Sequence, residues 1–304
     1  MVGSRIRRVR APNPSAMTLS GTNSYLVGDV EGVICIDPGP GIAKHVDRLI
    51  AESPGPIRWI VLTHGHPDHA PAAAPLRAKT GAIVAAHPRS AVPHDRALDE
   101  GDVVECGTTR LQVVHAPGHT FEHVVLFEPQ ERALFTGDVI LGEGTVVIAP
   151  PAGEMRAYQA TLDRLLRDFS NARTIYGGHG DEVTDPRAKI AEYIEHRKIR
   201  ERELLGALAE GSQTIPDLVK RIYAQTPRVL WPAAARQMLA YLLALEREGR
   251  VTSVEAPRAP NADEHAILNP EWSSMVGEDE ARVIEAELGA QLRLDALRVY
   301  TLTR

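Results

Sequence analysis

At 304 residues, with 43% hydrophobic and 24% charged side chains, the chain has the composition of an ordinary soluble globular protein and the length for more than one domain. Its formal net charge of -6 gives no general pull towards nucleic acid or anionic membrane, although a local basic groove stays open. No stretch approaches the roughly 20 apolar residues of a membrane span. The two cysteines, Cys35 and Cys106, lie in separate apolar runs, read as small buried hydrophobes and fit a reducing cytoplasm.

In chain order, Arg5, Arg7, Arg8 and Arg10 alternate with Ile6 and Val9 and no apolar run follows, which predicts an edge strand rather than a secretory signal. Residues 22–28 and 32–37 read as a hairpin ending in the turn Asp37-Pro38-Gly39-Pro40-Gly41. A helix over 42–52 places Ile42, Val46, Leu49 and Ile50 on one face. A strand over 59–63 then runs into His64-Gly65-His66-Pro67-Asp68-His69, where Gly65 and Pro67 break regular structure and let the polar side chains converge. A helix over 70–79 and a strand over 82–86 follow. Strands over 110–115 and 123–127 flank Pro117-Gly118-His119, and a strand over 133–136 ends in Gly137-Asp138. A helix over 154–168 carries Leu162, Leu165 and Leu166, and a strand over 174–176 ends in Gly177-Gly178-His179. Repeatedly an apolar strand stops in a Gly- or Pro-rich loop bearing His or Asp, which is how a fold assembles a site along one edge of its sheets.

The pattern turns helical after about residue 186. A helix over 188–210 has Ile190, Tyr193, Ile194, Leu204, Leu205 and Leu208 as its inner face. Thr214 with Asp217 forms a capping-box start to a helix over 215–224, and a helix over 233–248 stops at Gly249. With the short strand 251–254 these make a winged-helix-like module. Beyond it come a proline-rich link, a predicted helix over 278–290 and a strand-like run over 297–303. The expected division is a catalytic domain over 1–186, a helical winged-helix-like domain over 187–255, and an extension over 256–304. That extension has three open roles: covering the site mouth, extending a sheet, or mediating homodimer contacts.

The loop residues His64, His66, Asp68, His69, His119, Asp138 and His179 form the expected metal-ligand set. Imidazole and carboxylate suit zinc, with iron or manganese tolerated. Seven groups exceed the needs of one tetrahedral ion, so two Zn2+ sharing a bridging carboxylate is the economical reading. Isolated histidines such as His87, His94 and His115 read as satisfied polar residues instead.

The run His64-x-His66-x-Asp68-His69, followed in order by Pro117-Gly118-His119, Gly137-Asp138 and Gly178-His179, resembles the metallo-beta-lactamase superfamily over roughly residues 15–185. The resemblance implies a mixed α/β (α+β) fold, an αββα sandwich of two face-to-face sheets with helices outside. It implies one metal site from His64, His66 and His119, a second from Asp68, His69 and His179, and Asp138 bridging them. Asn13-Pro14, Met17-Thr18-Leu19, Gly21-Thr22-Asn23, Ile140-Leu141-Gly142-Glu143-Gly144-Thr145 and Tyr193-Ile194 are similar to the beta-lactamase-like protein 2 group, a likeness reaching about residue 252. Gly65 stands where a bulkier residue is usual, which implies a wider site mouth.

Two cations about 3.5–4 Å apart would lower the pKa of a shared water and supply a metal-bridging hydroxide. No GxSxG elbow offers a serine nucleophile instead. Asp68 is the expected catalytic group, orienting the hydroxide and passing a proton to the leaving group. His123, four residues after His119, is a second candidate, either facing substrate or supporting a ligand. Asp37, after the strand 33–36, is read as fixing a ligand imidazole from behind, with capping of the turn as the alternative.

The resemblance implies a hydrolase of the single-strand endoribonuclease type, with single-stranded RNA as substrate. The alternative is an ester, thioester or lactone hydrolase of the glyoxalase II type acting on a small molecule. Arg197, Lys198, Arg200, Arg202, Lys220 and Arg221 offer phosphate contacts, but Glu192, Glu195, Glu201, Glu203 and Asp217 interleave with them and suit a solvated, ion-paired face equally. Further readings are a persulfide dioxygenase with one iron on His64, His119 and Asp138, and a non-catalytic scaffold.

Overall fold

The computed structural model describes residues 5–269, 281–282 and 294–303. Six strands, β1 (Ile6–Arg10), β2 (Asn23–Asp29), β3 (Gly32–Ile36), β4 (Ile57–Val61), β5 (Ile83–Ala86) and β6 (Arg96–Ala97), form one sheet in that order. The arginine-rich β1 is its edge, as the alternation predicts. β3, β4 and β5 run parallel, so the chain must cross back between them, and it does so through α1 (Ala43–Glu52) and α2 (Ala73–Thr80). A second sheet holds β7 (Val103–Cys106), β8 (Thr109–His115), β9 (Val124–Glu128), β10 (Ala133–Gly137) and β11 (Thr174–Gly177), again in sequence order.

β3 shows why the layers stack. Its residues alternate sides, and both sides are apolar. Ile34 and Ile36 face the second sheet, where they meet Val113, Leu126 and Phe135. Val33 and Cys35 face the helices, packing with Val46, Leu49 and Leu76. Cys35 and Cys106 are both free and buried. The outer face of the second sheet packs on α3 (Met155–Asp168), which completes the αββα sandwich.

The inner face of α1 departs from expectation at one position. Ile50 is exposed, and His45 takes the buried place, its Nε2 2.9 Å from Ser24 Oγ. A histidine can occupy a buried helix position when the strand below offers it a hydrogen bond.

The core beyond the second sheet continues without a break into α4 (Pro186–Ala209), α5 (Ile215–Ile222) and α6 (Trp231–Arg247), through Tyr193, Leu204, Leu218 and Met238. Both arms of the Thr214–Asp217 capping box are present at α5. A three-stranded sheet follows the order β12 (Gln213–Thr214), β14 (Arg298–Leu302), β13 (Val251–Glu255), and α7 (Ala262–Leu268) packs on α5 and α6. Its middle strand comes from the segment 256–304, with Tyr300 and Leu297 buried in the core. Of the three roles open to that segment, its described end takes sheet extension, and a boundary at 255 separates β14 from the sheet it completes. The helix predicted over 278–290 lies outside the described residues except at 281–282. No helix among the described residues is long and apolar enough to cross a membrane.

Candidate metal centre

The site forms where strands of both sheets end together. β3 delivers Asp37, β4 the loop 64–69, the β8–β9 turn His119, β10 Asp138 and β11 His179. Asp37 is held in the left-handed region, φ 47°, and three groups fix it there. The Thr63 backbone N–H donates to its Oδ1 at 2.7 Å, the Thr63 hydroxyl to its Oδ2 at 2.7 Å, and His69 Nδ1 lies 2.9 Å from Oδ2.

These bonds set the histidine tautomers. His69 donates from Nδ1 to the carboxylate, leaving Nε2 to face inward. The Thr63 hydroxyl has given its proton to Asp37, so at 3.0 Å it accepts from His64 Nδ1, and His64 Nε2 is bare. His119 Nδ1 donates to the Val147 carbonyl at 3.0 Å, which bares its Nε2 as well. His64 Nε2 and His119 Nε2 lie 3.0 and 2.9 Å from His66 Nδ1. One proton on His66 can serve only one of the two bare nitrogens, whereas a cation serves all three.

A second group adjoins the first. Asp68 Oδ2 lies 3.3 Å from His69 Nε2 and 3.1 Å from His179 Nε2, and it accepts from the Thr22 hydroxyl at 3.1 Å. Asp138 reaches both groups: Oδ1 is 3.3 Å from His69 Nε2, and Oδ2 is 3.5 Å from His179 Nε2 and 3.8 Å from His119 Nε2. His64, His66, His119 and Asp138 form one set able to hold a metal, and Asp68, His69 and His179 form another. His69 Nε2 and Asp138 Oδ1 are buried with no hydrogen-bond partner among the described residues, the state in which a metal would be expected to satisfy them. The donor set fits divalent cations.

Burial, and the neighbouring imidazole of His66, pull His119 down to about 3, and burial likewise lowers His64 and His66, so these three stay neutral as ligands must be. Burial opposes the charged form at His69 and His179 too, but the facing carboxylates outweigh it. His69 rises well above its usual value and His179 to about 10. Those imidazolium charges overcome burial in turn and hold Asp68 and Asp138 ionised. A cation entering the second group must displace those protons.

All seven predicted ligands therefore converge. Asp37 takes the supporting place expected of it. His123 does not face substrate: it is fully buried, its ring stacks on His64 at 4.8 Å, and its Nε2 accepts the Asp138 backbone N–H at 3.1 Å. These contacts place it behind the candidate ligands, where a supporting or a purely structural residue would sit. Gly178 is required by close approach, since a Cβ there would overlap Asp138 Oδ1 and His69 Cε1. Thr63 and Thr22 escaped the sequence reading. For Thr63 the signal was present, a hydroxyl residue closing an apolar strand directly before His64.

Both ligand groups open into one cavity of about 460 Å³, lined by His66, Asp68 and Asp138, by Met17, Leu19 and Val147, and by Leu230, Ala233 and Arg236 of the helical domain. Gly65 does not line it; it lies on the other side, towards Val92 and Glu122, so the expected widening of the mouth is not observed. Among the expected basic residues, Arg197 is buried. Arg200 pairs with Glu203, Arg202 with Glu195, Lys220 with Asp263 and Arg221 with Glu210.

Residues 17–179 match the model of the metallo-beta-lactamase superfamily, and 214–258 that of the beta-lactamase associated winged helix domain. A beta-lactamase-like protein 2 homolog of Drosophila melanogaster is 36% identical over 270 residues, covering 82% of this chain and 90% of that protein. An atrochrysone carboxyl ACP thioesterase of Aspergillus chevalieri is 32% identical over 240 residues, covering 73% and 74%. The solved structure of a beta-lactamase domain protein from Burkholderia ambifaria superposes with a TM-score of 0.72 at 22% identity, over 84% of this chain and 90% of that one, and shows the same fold.

Proposed function

Because the chain belongs to the metallo-beta-lactamase superfamily, we propose that it is a dinuclear metal-dependent hydrolase of an ester or thioester with an apolar acyl group. The observation that carries this reading is the cavity itself, a mainly apolar space that reaches both ligand groups. The thioesterase among its relatives supports the same substrate class.

In this reading His64, His66 and His119 would hold one ion and Asp68, His69 and His179 the other, with Asp138 available to both. Zinc suits the donor set, with iron or manganese tolerated. When bound, such ions lower the pKa of a water towards neutrality and polarise the acyl oxygen. Asp68, on the cavity wall, orients the attacking water and returns its proton to the leaving thiol or alcohol. His123 and Asp37 act only by holding Asp138 and His69 in place. The apolar walls exclude bulk water from the acyl group.

Single-stranded RNA, the substrate implied by the resemblance to the beta-lactamase-like protein 2 group, finds less support at the site. Its backbone would need a basic track, and the arginines that might build one are buried or paired with carboxylates. The persulfide dioxygenase reading has no use for the second ligand group. A panel of an acyl thioester, a lactone, a cephalosporin and single-stranded RNA on zinc-loaded protein tests the proposal. Thioester turnover is expected. RNA cleavage with no turnover of the thioester or lactone would reject it.

A further inference from the structure

The wall of the cavity that α6 supplies has an unusual charge balance. Arg236, on α6, is 3% exposed and lines the cavity, yet its Nε and Nη2 have no hydrogen-bond partner among the described residues. Burial alone lowers it to about 10, with no nearby carboxylate contributing, so it remains a cation at neutral pH. The next residue, Gln237, also lines the cavity and is buried, and its Nε2 is likewise unpartnered.

The surrounding charges do not relieve this. Arg197 donates to Gln237 Oε1 at 3.0 Å and to the Val146 carbonyl at 2.7 Å, and it lies 5.0 Å from the Tyr158 ring centre. None of those partners is an anion. Arg200 spends its Nη1 on Glu203 at 2.7 Å, while its Nε and the Nδ1 of nearby His196 are unpartnered. Burial and the two arginines pull His196 down to about 4, so it is neutral. Among the described residues that line the cavity, the carboxylates are Asp68 and Asp138, in the metal centre, and the exposed Glu143.

A buried guanidinium without a counter-charge is costly, and proteins keep one where an anion arrives to pair with it. The Nε–Nη2 edge is the side-on fork that receives two oxygens of a carboxylate or phosphate. We propose that Arg236, with Gln237 beside it, forms an anion subsite in the cavity wall that receives an oxyanion group carried by the substrate. The cavity wall also carries Met17, Leu19, Val147, Leu230 and Ala233, so the substrate joins an apolar body to an anionic group. The substrate assignment rests on the hydrolase reading; the anion subsite itself does not.

Arg236→Met keeps the bulk of the side chain and removes its charge. Thermal unfolding of the zinc-loaded full chain is followed alone, with inorganic phosphate and with octanoate. At least one anion is expected to raise the wild-type Tm by about 2–4 °C near tenfold saturation. The Met variant should start at or above the wild-type Tm and lose most of that rise, and Arg236→Lys should keep part of it. Which anion acts separates a phosphate group from a carboxylate group. The proposal is overturned if neither anion shifts the wild type, if the Met variant responds as the wild type does, or if it melts well below the wild type without anion. Turnover does not enter this readout, so a normal shift without thioester hydrolysis counts against the hydrolase reading alone. With turnover, a thioester bearing a matching anionic group should exceed its neutral analogue about tenfold in kcat/KM, and Arg236→Met should abolish the difference.

Discussion

The side chains around the metal centre divide into those that would hold ions and those that aim them. His66 and Asp138 belong to the first kind, since His66 Nδ1 meets two bare imidazole nitrogens and Asp138 reaches both groups. His66→Ala or Asp138→Ala should abolish hydrolysis and lower the metal content per chain; full activity at unchanged stoichiometry would sink the ligand assignment. Asp37 belongs to the second kind. Its carboxylate fixes His69 and the Thr63 turn together, and loss of such a partner typically weakens metal binding about 10–100-fold. Asp37→Asn should therefore show that loss in a chelator competition, and a variant that holds zinc as tightly as wild type would refute the orienting role. The seven candidate ligands were legible in the sequence because they cluster where apolar strands stop in Gly- or Pro-containing loops. His123 was legible only as a candidate, since its spacing from His119 does not say which way its ring turns.

At the level of single elements, the caps and short ion pairs explain where helices begin. Asn261 and Glu264 form a capping box at α7, and Arg258 holds both Glu264 oxygens at 2.6 and 2.7 Å. The Arg258 bonds first, and the Asn261 backbone second, pull the Glu264 carboxyl down to about 2. A carboxyl depressed in the folded state stabilises it above the unfolded pKa of about 4.3 and loses that contribution as pH falls towards 2. The Tm gap between wild type and Glu264→Gln should accordingly be full at pH 7, narrow below about pH 4.5 and close near pH 2; a gap independent of pH would show that charge plays no part. Helix α1 marks the limit of periodicity. The apolar pattern chose Ile50 for the buried face, but His45 won the place through its bond to Ser24, a partner that lies on another strand.

Across the whole molecule, the helical domain supplies a wall of the cavity and a clamp on the loop after β10. The Tyr193 hydroxyl donates to the Gly144 carbonyl and accepts from the Leu141 N–H, both at 3.0 Å, while Arg197 donates to the Val146 carbonyl. The three-stranded sheet beneath that domain depends on β14. Deleting residues 298–304 removes the buried Tyr300 and strips β12 and β13 of their partner, a loss on the order of 3–5 kcal/mol for the aromatic alone. Such a chain should unfold several degrees lower or aggregate; an unchanged Tm would mean that β14 adds nothing. The sequence by itself determined the order of strands and helices, the winged-helix-like module and the polar loops that end the strands, because those follow from local alternation and turn residues; the layered sandwich came only as what the resemblance of its motif implies. Only the tertiary structure decided what pairs across long separations. It set β14 between β12 and β13, buried Arg197 rather than leaving it on a basic face, and joined the candidate metal centre to an apolar cavity. Those outcomes depend on which surfaces meet after folding, and no local pattern of residues encodes that meeting.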